Sequence, residues 1–392
     1  MESDSHTPRF LASGRISLGA IRERVYDQLT AADKAPDAEL REQLRDVINY
    51  VLTVEGITLA REDRLALVDY LYRELTGFGP LHMLIADPEV TEISIDGPER
   101  VHVRRGVGEM KSEEGTYFED ARHLERITER FLAQAGVALK LGEPILEVGG
   151  ILGRRPARLT VTSPAFSPQL HVEIRLHPAE AVTLQQLETS GLLDPAAAAL
   201  LSSVVAARHG LMIAGDADTG KTTLLEALLP LLPAERTVVV ERAEELRLPD
   251  GMARLVAVPP VPFAEQIGAA LAEQPARLVL DEVRFDEAPT MWQALTAESR
   301  PHCLWAFRAS TEPMRLRAAF SMSVRRAVPG IGQEFIASAL IERLPFVVLL
   351  ARQHGQRSVV AVSEWQPDPQ QPDTPMLVSI WPGGATPSHA LD

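Results

Sequence analysis

The sequence predicts an α/β protein in which a domain with a largely parallel sheet follows a smaller α+β domain and a short helical prologue. Between residues 191 and 363, helices alternate with short strands that are apolar on both faces, such as "GLMIAG" and "RLVLDE". Strands of this kind belong to sheets covered by helices on two sides, and such sheets are mostly parallel. Upstream, four strands of alternating polarity accompany one amphipathic helix, which is typical of an α+β domain.

The same patterns divide the chain into segments. Residues 1–13 are polar and are expected to be disordered, and residues 14–78 carry apolar residues at helical spacing up to the breakers Gly77 and Pro80. We place the remaining boundaries as an α+β N-terminal domain at 79–177, a linker at 178–190, the α/β domain at 191–363, and a Pro-rich tail at 364–392 that is expected to be mobile or extended.

Composition limits the function. The 392 residues suffice for two or three domains, and 39 basic against 54 acidic residues give a net charge of −15, which disfavours a surface that tracks nucleic-acid phosphates. The single cysteine, Cys303, excludes an internal disulfide framework and fits a reducing compartment. The N-terminus lacks the apolar core of a signal peptide, and no run approaches the length of a membrane span. We therefore expect a cytoplasmic protein with no transmembrane segment and no direct nucleic-acid partner.

A phosphate-binding loop follows the first strand of the α/β domain. The stretch "GDADTGKTT" has the spacing G-x-x-x-x-G-K-T and opens a helix, so its backbone N–H groups and the helix N-terminus are predicted to bind the phosphates of ATP. Lys221 would reach the β- and γ-phosphates, and Thr222 would place its hydroxyl on Mg²⁺. The alternative is a chance glycine-rich turn. The predicted nucleotide-binding residues are Gly215, Asp216, Ala217, Asp218, Thr219, Gly220, Lys221, Thr222 and Thr223.

Two acidic side chains, Asp216 and Asp218, are unexpected in such a loop. Each would repel a triphosphate by about 0.5–1 kcal/mol at surface dielectric, which weakens affinity without abolishing it. Alternatively, one of these carboxylates binds Mg²⁺-ordered water or an arginine from a neighbour.

Further carboxylates end two downstream strands. In "RLVLDE", Asp281 is predicted to act as a second-shell Mg²⁺ ligand, and Glu282 is placed to orient or deprotonate the attacking water. A strand end with solvated charges is the alternative. Glu241, Glu244 and Glu245 follow the strand "RTVVVE", and taken alone they favour a solvated helix start.

Together these motifs resemble a known family. The phosphate loop, "VVVERAEELRL" and "LVLDEVR" occur in the order found in the type II/type IV secretion ATPase superfamily. The segments "LTGFGPLHMLIADPEVTEISIDGP" and "GQEFIASALIERLPFVVLLAR" are similar to that family's opening and closing signatures, particularly in the tight-adherence (Flp) pilus-assembly branch. The resemblance covers roughly residues 65–365.

The resemblance implies a RecA-like P-loop ATPase domain, a homo-hexameric ring, and hydrolysis coupled to rigid-body motion of two lobes. By position, Lys221 and Thr222 match the phosphate and Mg²⁺ ligands. Glu245 matches the last acid of an E-D-x-x-E-L motif that begins at Glu241. Glu282 matches the catalytic glutamate, and Arg284 the arginine that follows it. Arg175 matches an arginine that reaches nucleotide across the lobe or subunit boundary.

Several positions depart from the family pattern. Arg242 stands where aspartate is usual, and Asp281 replaces glycine. The family has a motif with two histidines that corresponds to "ESRPHCLWAFRAST" in this sequence. Arg308 occupies the place of the second histidine, where it could donate to the γ-phosphate but not shuttle a proton. The family's "R-L-P-D-G-S-R" loop corresponds to "GILGRRPAR" in this sequence, where at most Arg158 matches the family pattern.

The leading hypothesis is therefore a hexameric, cytoplasmic ATPase motor for pilus assembly or secretion. It would associate peripherally with the inner membrane through a platform protein. The alternative is a nucleotide-binding, weakly hydrolysing paralogue that acts as a regulatory or assembly subunit. A DNA-translocating motor is disfavoured by the acidic charge balance.

Overall fold

The structure is a computed structural model that describes residues 18–29, 37–116, 118–138, 144–284, 287–353, 355–371 and 373–391. The segment 1–13, for which we expect disorder, lies outside these ranges.

Three helices form the prologue: α1 (Leu18–Leu29), α2 (Asp37–Val54) and α3 (Arg61–Thr76). Their apolar faces share a core that includes Val25, Ile48 and Leu71. The prologue is fixed to the next domain by a buried contact, in which His123 Nε2 lies 2.7 Å from a carboxylate oxygen of Glu74.

The N-terminal domain is a six-stranded sheet in the order β3-β2-β1-β6-β5-β4, and all its strand pairs are antiparallel. Helix α5 packs on it through an apolar face that includes Leu124, Ile127 and Phe131. Asp120 caps the start of this helix by accepting a hydrogen bond from the backbone N–H of His123. The elements are α4 (His82–Ala86), β1 (Val90–Asp96), β2 (Arg100–Arg105), β3 (Lys111–Ser112), α5 (Ala121–Gln134), β4 (Ile145–Leu152), β5 (Arg155–Thr162) and β6 (His171–Leu176).

The C-terminal domain is built on an eight-stranded sheet in the order β14-β13-β12-β7-β11-β10-β8-β9. The strands from β12 to β9 run parallel, whereas β13 and β14 are antiparallel additions. Two apolar cores cover the two faces, one centred on Trp305 and the other on Leu224. This mixed α/β architecture confirms the predicted fold class.

The sheet strands of this domain alternate with helices along the chain. Its elements are α6 (Leu184–Thr189), α7 (Pro195–Ala206), β7 (Leu211–Gly215), α8 (Lys221–Leu228), β8 (Thr237–Glu241), β9 (Ala253–Val256), α9 (Phe263–Ala272), β10 (Arg277–Val283), α10 (Ala288–Thr296), β11 (His302–Arg308), α11 (Pro313–Ala327), α12 (Gln333–Arg343), β12 (Phe346–Gln353), β13 (Gln356–Gln366) and β14 (Met376–Trp381).

The tail at 364–392, for which composition predicts a mobile or extended segment, adds an extended strand to the sheet. Residues 376–381 form β14, which pairs with β13, and the chain then returns to the sheet. There the fully buried Glu364 accepts hydrogen bonds from Ser388 and His389, and His209 contacts the carbonyl of Ala390.

Candidate functional site

The phosphate loop joins β7 to α8. Gly220 has a φ of +96°, which favours glycine, and a side chain at Gly215 would place its Cβ 2.6 Å from the carbonyl oxygen of Leu350. Both glycines are therefore required by the backbone geometry, as a phosphate-binding loop demands. Thr222 and Thr223 follow in the first turn of α8 and are half-buried.

Lys221, the first residue of α8, turns its ammonium group back into the loop. Nζ donates to the carbonyl oxygen of Asp216 at 2.6 Å, and Thr219 Oγ1 donates to the same oxygen at 2.9 Å. Burial lowers the pKa of Lys221 to about 8; the nearby Glu282 carboxylate opposes this shift, while the positive charge of Arg308 adds to it. The side chain of Lys221 thus lies inside the loop, and the carboxylate of Glu282 stabilises its positive charge.

The two acids of the loop have different surroundings. Asp216 is exposed to solvent. Asp218 is half-buried with a φ of +59°, and its carboxylate faces the N-terminal domain, where it pairs with Arg104 at 3.0 Å and with Arg175. Arg175, which the resemblance assigns to the nucleotide, here contacts a carboxylate of the loop itself.

A second group of residues lies at the carboxyl ends of the neighbouring parallel strands β8 and β10. Asp281 is buried; its Oδ2 accepts the backbone N–H of Arg242 at 2.9 Å, whereas its Oδ1 has no hydrogen-bond partner among the described residues. Burial raises the pKa of Asp281 to about 7, and the negative charges of Glu245 and Glu282 act in the same direction against the opposing charge of Arg158.

One arginine of the N-terminal domain, Arg158 on β5, inserts among these carboxylates. Its guanidinium nitrogens lie 2.5 Å from Glu245, 2.9 Å from Glu147, 3.3 Å from Glu282 and 3.7 Å from Asp281. Burial disfavours its charge, but the surrounding carboxylates outweigh burial and raise its pKa above the usual range. The candidate site is therefore completed by side chains from both domains.

The pKa values of two carboxylates reflect this pairing. Burial alone would raise the pKa of Glu245, but Arg158 and His177, whose Nε2 lies 3.0 Å from the carboxylate, hold it at about 2. Burial likewise opposes ionisation of Glu282, and its pKa is held at about 2 by Arg284 and Arg158. Glu282 is thus fully ionised and hydrogen-bonded in this arrangement.

The side chain of Arg242 contacts Glu282, Glu287 and Phe263. Its Nε donates to the carbonyl oxygen of Glu282 at 3.2 Å, its guanidinium pairs with Glu287, and its Cζ lies 4.6 Å from the ring centre of Phe263. The residue that departs from the family pattern therefore ties the end of β8 to the end of β10.

Arg308 ends β11, in register with Gly215 of the loop strand, and its side chain is exposed. Its positive charge contributes to lowering the pKa of Lys221.

Sequence reasoning missed several residues of this site. The strand containing Glu147 was not predicted, because its glycine pair in "ILEVGGIL" reads as a turn. Arg104 lies in an alternating strand whose charged residues read as solvent-facing, and His177 follows β6 with no motif around it. Arg158 carried one signal, its place in a degenerate family loop, but three of its four acidic partners are distant in sequence.

Comparison with known proteins finds a family match for the part of the chain that contains Arg158, the phosphate loop and Glu282. Residues 152–318 match the family described as type II/IV secretion system protein. A putative conjugal transfer protein of Mycobacterium tuberculosis is 29% identical over 315 residues, which span 76% of this chain and 86% of that protein. The type IV secretion system protein VirB11 of Brucella suis is 26% identical over 249 residues, or 53% of this chain and 66% of that protein.

Two solved structures share the fold. The ATPase DotB of Legionella pneumophila has a TM-score of 0.51 at 16% identity and covers 76% of this chain and 84% of its own. The pilus retraction motor PilT with bound ADP has a TM-score of 0.50 at 17% identity and covers 71% of this chain and 80% of its own. Within the described residues, no helix is both long and apolar enough to span a bilayer.

Proposed function

We propose that this chain is a member of the type II/type IV secretion ATPase superfamily, whose family model matches residues 152–318, and that it binds and hydrolyses ATP to drive a secretion or pilus-assembly machine. The observation that carries the proposal is the arrangement of three parallel strands, which brings the loop that holds Lys221 and the carboxyl end of the strand that carries Glu282 to the same edge of the sheet. The loop strand β7 and the acidic strand β10 are separated only by β11, so their carboxyl ends face one cleft. In this cleft, phosphates would meet Lys221 and the loop N–H groups, and the attacking water would meet Glu282.

Magnesium fits the donor set. The described residues contain no cluster of three or more His, Cys, Asp or Glu side chains arranged to hold a metal alone, so the ion would be shared with the nucleotide. Thr222 would supply its hydroxyl, and the unpartnered Oδ1 of the buried Asp281 would accept a hydrogen bond from a metal-bound water. When bound, Mg²⁺ supplies charge stabilisation for the transferring phosphoryl group.

Glu282 as it stands is a weak base, because Arg158 and Arg284 stabilise its ionised form. A shift of the N-terminal domain that withdraws Arg158 would raise the pKa of Glu282 and free it to orient water. The ion pairs that cross the two domains thus provide a means of coupling domain motion to hydrolysis.

The proposal extends to assembly and location. We infer a homo-hexameric ring that works at the cytoplasmic face of the inner membrane, docked on a platform protein. The support is the similarity to a conjugal transfer protein and to VirB11, and the fold shared with DotB and PilT. The tight-adherence signatures of the sequence favour pilus assembly as the process served.

A second candidate is a nucleotide-binding paralogue with slow turnover. It is favoured by Arg308 in place of a histidine, and by a Glu282 that is ion-paired on both sides. In this case the domain would close on nucleotide and act as an assembly or regulatory subunit.

Nucleotide binding itself is tested by titrating a fluorescent ATP analogue with Mg²⁺ into Lys221→Met and into the matched variant Lys111→Met on the exposed strand β3. We expect Lys221→Met to weaken binding at least about 10-fold, because it loses the cation that meets the β- and γ-phosphates. Lys111→Met should bind like the wild type. Equal affinity in the two variants would contradict the assignment of the loop.

A further inference from the structure

The carboxylate of Asp218 joins the phosphate loop to the N-terminal sheet. One oxygen lies 3.0 Å from Arg104 on β2, and the other pairs with Arg175 on β6. Strand β1 lies between these two strands, and its Glu92 is aligned with both arginines and pairs with Arg104 at 2.8 Å. The loop therefore docks onto a row of three charged side chains on one face of the N-terminal sheet.

Positive charge exceeds negative charge at this contact. A third arginine, Arg357 on β13, lies beside the loop, since a side chain at Gly220 would place its Cβ 4.0 Å from the Cδ of Arg357. Its Nε is buried without a hydrogen-bond partner among the described residues, and the charge of Asp218 acts on its pKa. Within the described part of the chain, the carboxylates that form ion pairs with these arginines are Asp218 and Glu92, so three guanidinium groups face two paired carboxylates.

Asp218 itself is held for this contact. Its φ of +59° is uncommon outside glycine, although aspartate tolerates it. Burial disfavours ionisation of its carboxylate, but Arg175 and Arg104 outweigh burial and keep its pKa below the usual value. Asp216, two residues earlier, carries the same charge but is exposed.

We propose that Asp218 is an internal counter-ion of the nucleotide-free protein. It occupies Arg104 and Arg175, closes the N-terminal domain onto the phosphate loop, and competes with the phosphates of an incoming nucleoside triphosphate for the same guanidinium groups. This inference rests on the proposed function, since it describes how nucleotide gains access to the proposed site. Asp218 is thus a positioning residue that acts through the two arginines.

The competition predicts the sign of a mutation. Asp218→Asn removes a negative charge beside the phosphates and releases two guanidinium groups, so the Kd for Mg-ATP should fall about 5- to 30-fold. Asp250→Asn removes the same charge from an exposed turn before β9, outside the loop, and its Kd should change less than about two-fold because solvent and salt screen that charge. Asp218→Glu keeps the counter-ion and should return most of the wild-type Kd.

Binding is measured with a fluorescent ATP analogue at fixed ionic strength. If Asp218→Asn binds ATP no more tightly than Asp250→Asn does, or more weakly than the wild type, the competition is overturned.

A second measurement needs no nucleotide. Spin labels at Ser112→Cys in the N-terminal domain and Glu235→Cys in the C-terminal domain occupy exposed positions. The native Cys303 is buried, and burial raises the pKa of its thiol to about 12, so it does not take a label. In the nucleotide-free protein, Asp218→Asn should broaden the distance distribution between the labels, whereas Asp250→Asn should not.

Unchanged distances in Asp218→Asn would overturn the inference even if ATP binds. If the wild type fails to bind ATP, it is the proposed function that fails, and a broadened distribution in Asp218→Asn still supports Asp218 as the residue that closes the domains.

Discussion

Arg158 donates a hydrogen bond of 2.5 Å to Glu245, and this bond links a strand of the N-terminal domain to the carboxylates of the C-terminal domain. Around the same guanidinium lie Glu147, Asp281 and Glu282. A cation from one domain therefore compensates the acids of the other, and the electrostatics of the site depend on how the domains are placed. Movement of one domain changes the charge state and freedom of the residues proposed to act on ATP.

Replacing Arg158 with a neutral residue should show how much the fold depends on this positive charge. Arg158→Met keeps the side-chain volume but leaves buried carboxylates without their partner, so we expect a loss of about 3–5 kcal/mol in the free energy of unfolding. The control is Arg154→Met, because Arg154 is exposed and lies four residues earlier on the same hairpin. That variant should change the free energy of unfolding by less than about 0.5 kcal/mol. Urea unfolding near neutral pH makes the comparison, and equal midpoints would contradict the role given to Arg158.

Arg242 tests whether the aspartate that is usual in the family would make this protein more stable than arginine does. Arg242→Asp restores the usual aspartate, yet it places a carboxylate beside Glu287 and removes the guanidinium that bonds to the Glu282 carbonyl. We expect a loss of about 2–4 kcal/mol in stability, from the broken pair and the added repulsion. Arg242→Gln, which adds no negative charge, should lose less. Thermal unfolding measures both, and a more stable Arg242→Asp protein would refute the structural role of Arg242.

The hydrogen bonds from the tail to Glu364 predict that the stability of the fold depends on pH. Burial alone would raise the pKa of Glu364, but hydrogen bonds from Ser388, Gln366 and His389 hold it at about 2, below the ordinary value of 4.5. Because the folded pKa is the lower one, the ionised carboxylate stabilises the fold above about pH 4.5, and this stabilisation is lost as pH falls towards 2.

The variant for this prediction is Glu364→Gln. At pH 7 it should lose about 2–3 kcal/mol, since hydrogen bonds to a charged acceptor are the strong ones. Its disadvantage relative to the wild type should shrink between pH 4.5 and 3. Glu235→Gln, at an exposed position, provides the control. A constant difference in the unfolding midpoint across this pH range would show that the tail is not held by the ionised group.

The sequence predicted those parts of the site that depend on local pattern. The phosphate loop follows from its glycines and from the strand and helix on either side. Asp281 and Glu282 follow from the rule that parallel strands present their carboxyl ends at one edge. By contrast, the partners of Asp218 and three of the four partners of Arg158 lie on the other domain, and these contacts depend on how the two domains are oriented, which no local pattern encodes.

The tail shows a different limitation of the sequence, because composition does not reveal the contacts that hold a segment in place. Its Pro-rich composition favours an extended or mobile segment, but the short alternating stretch at 376–381 pairs with an edge strand, and a buried acid at Glu364 fixes the residues that follow. Composition describes the average behaviour of a segment, whereas these few contacts decide its state.

The central claim, that this protein is an ATP-hydrolysing motor, is tested most directly by steady-state ATP turnover of the wild type and of Glu282→Gln, with the oligomeric mass measured in the same sample. We predict Mg²⁺-dependent turnover by a hexameric wild type, and a Glu282→Gln protein that binds ATP with wild-type affinity but turns it over at least about 100-fold more slowly. Turnover unchanged in Glu282→Gln, or a wild-type hexamer that binds ATP without hydrolysing it, would contradict the account.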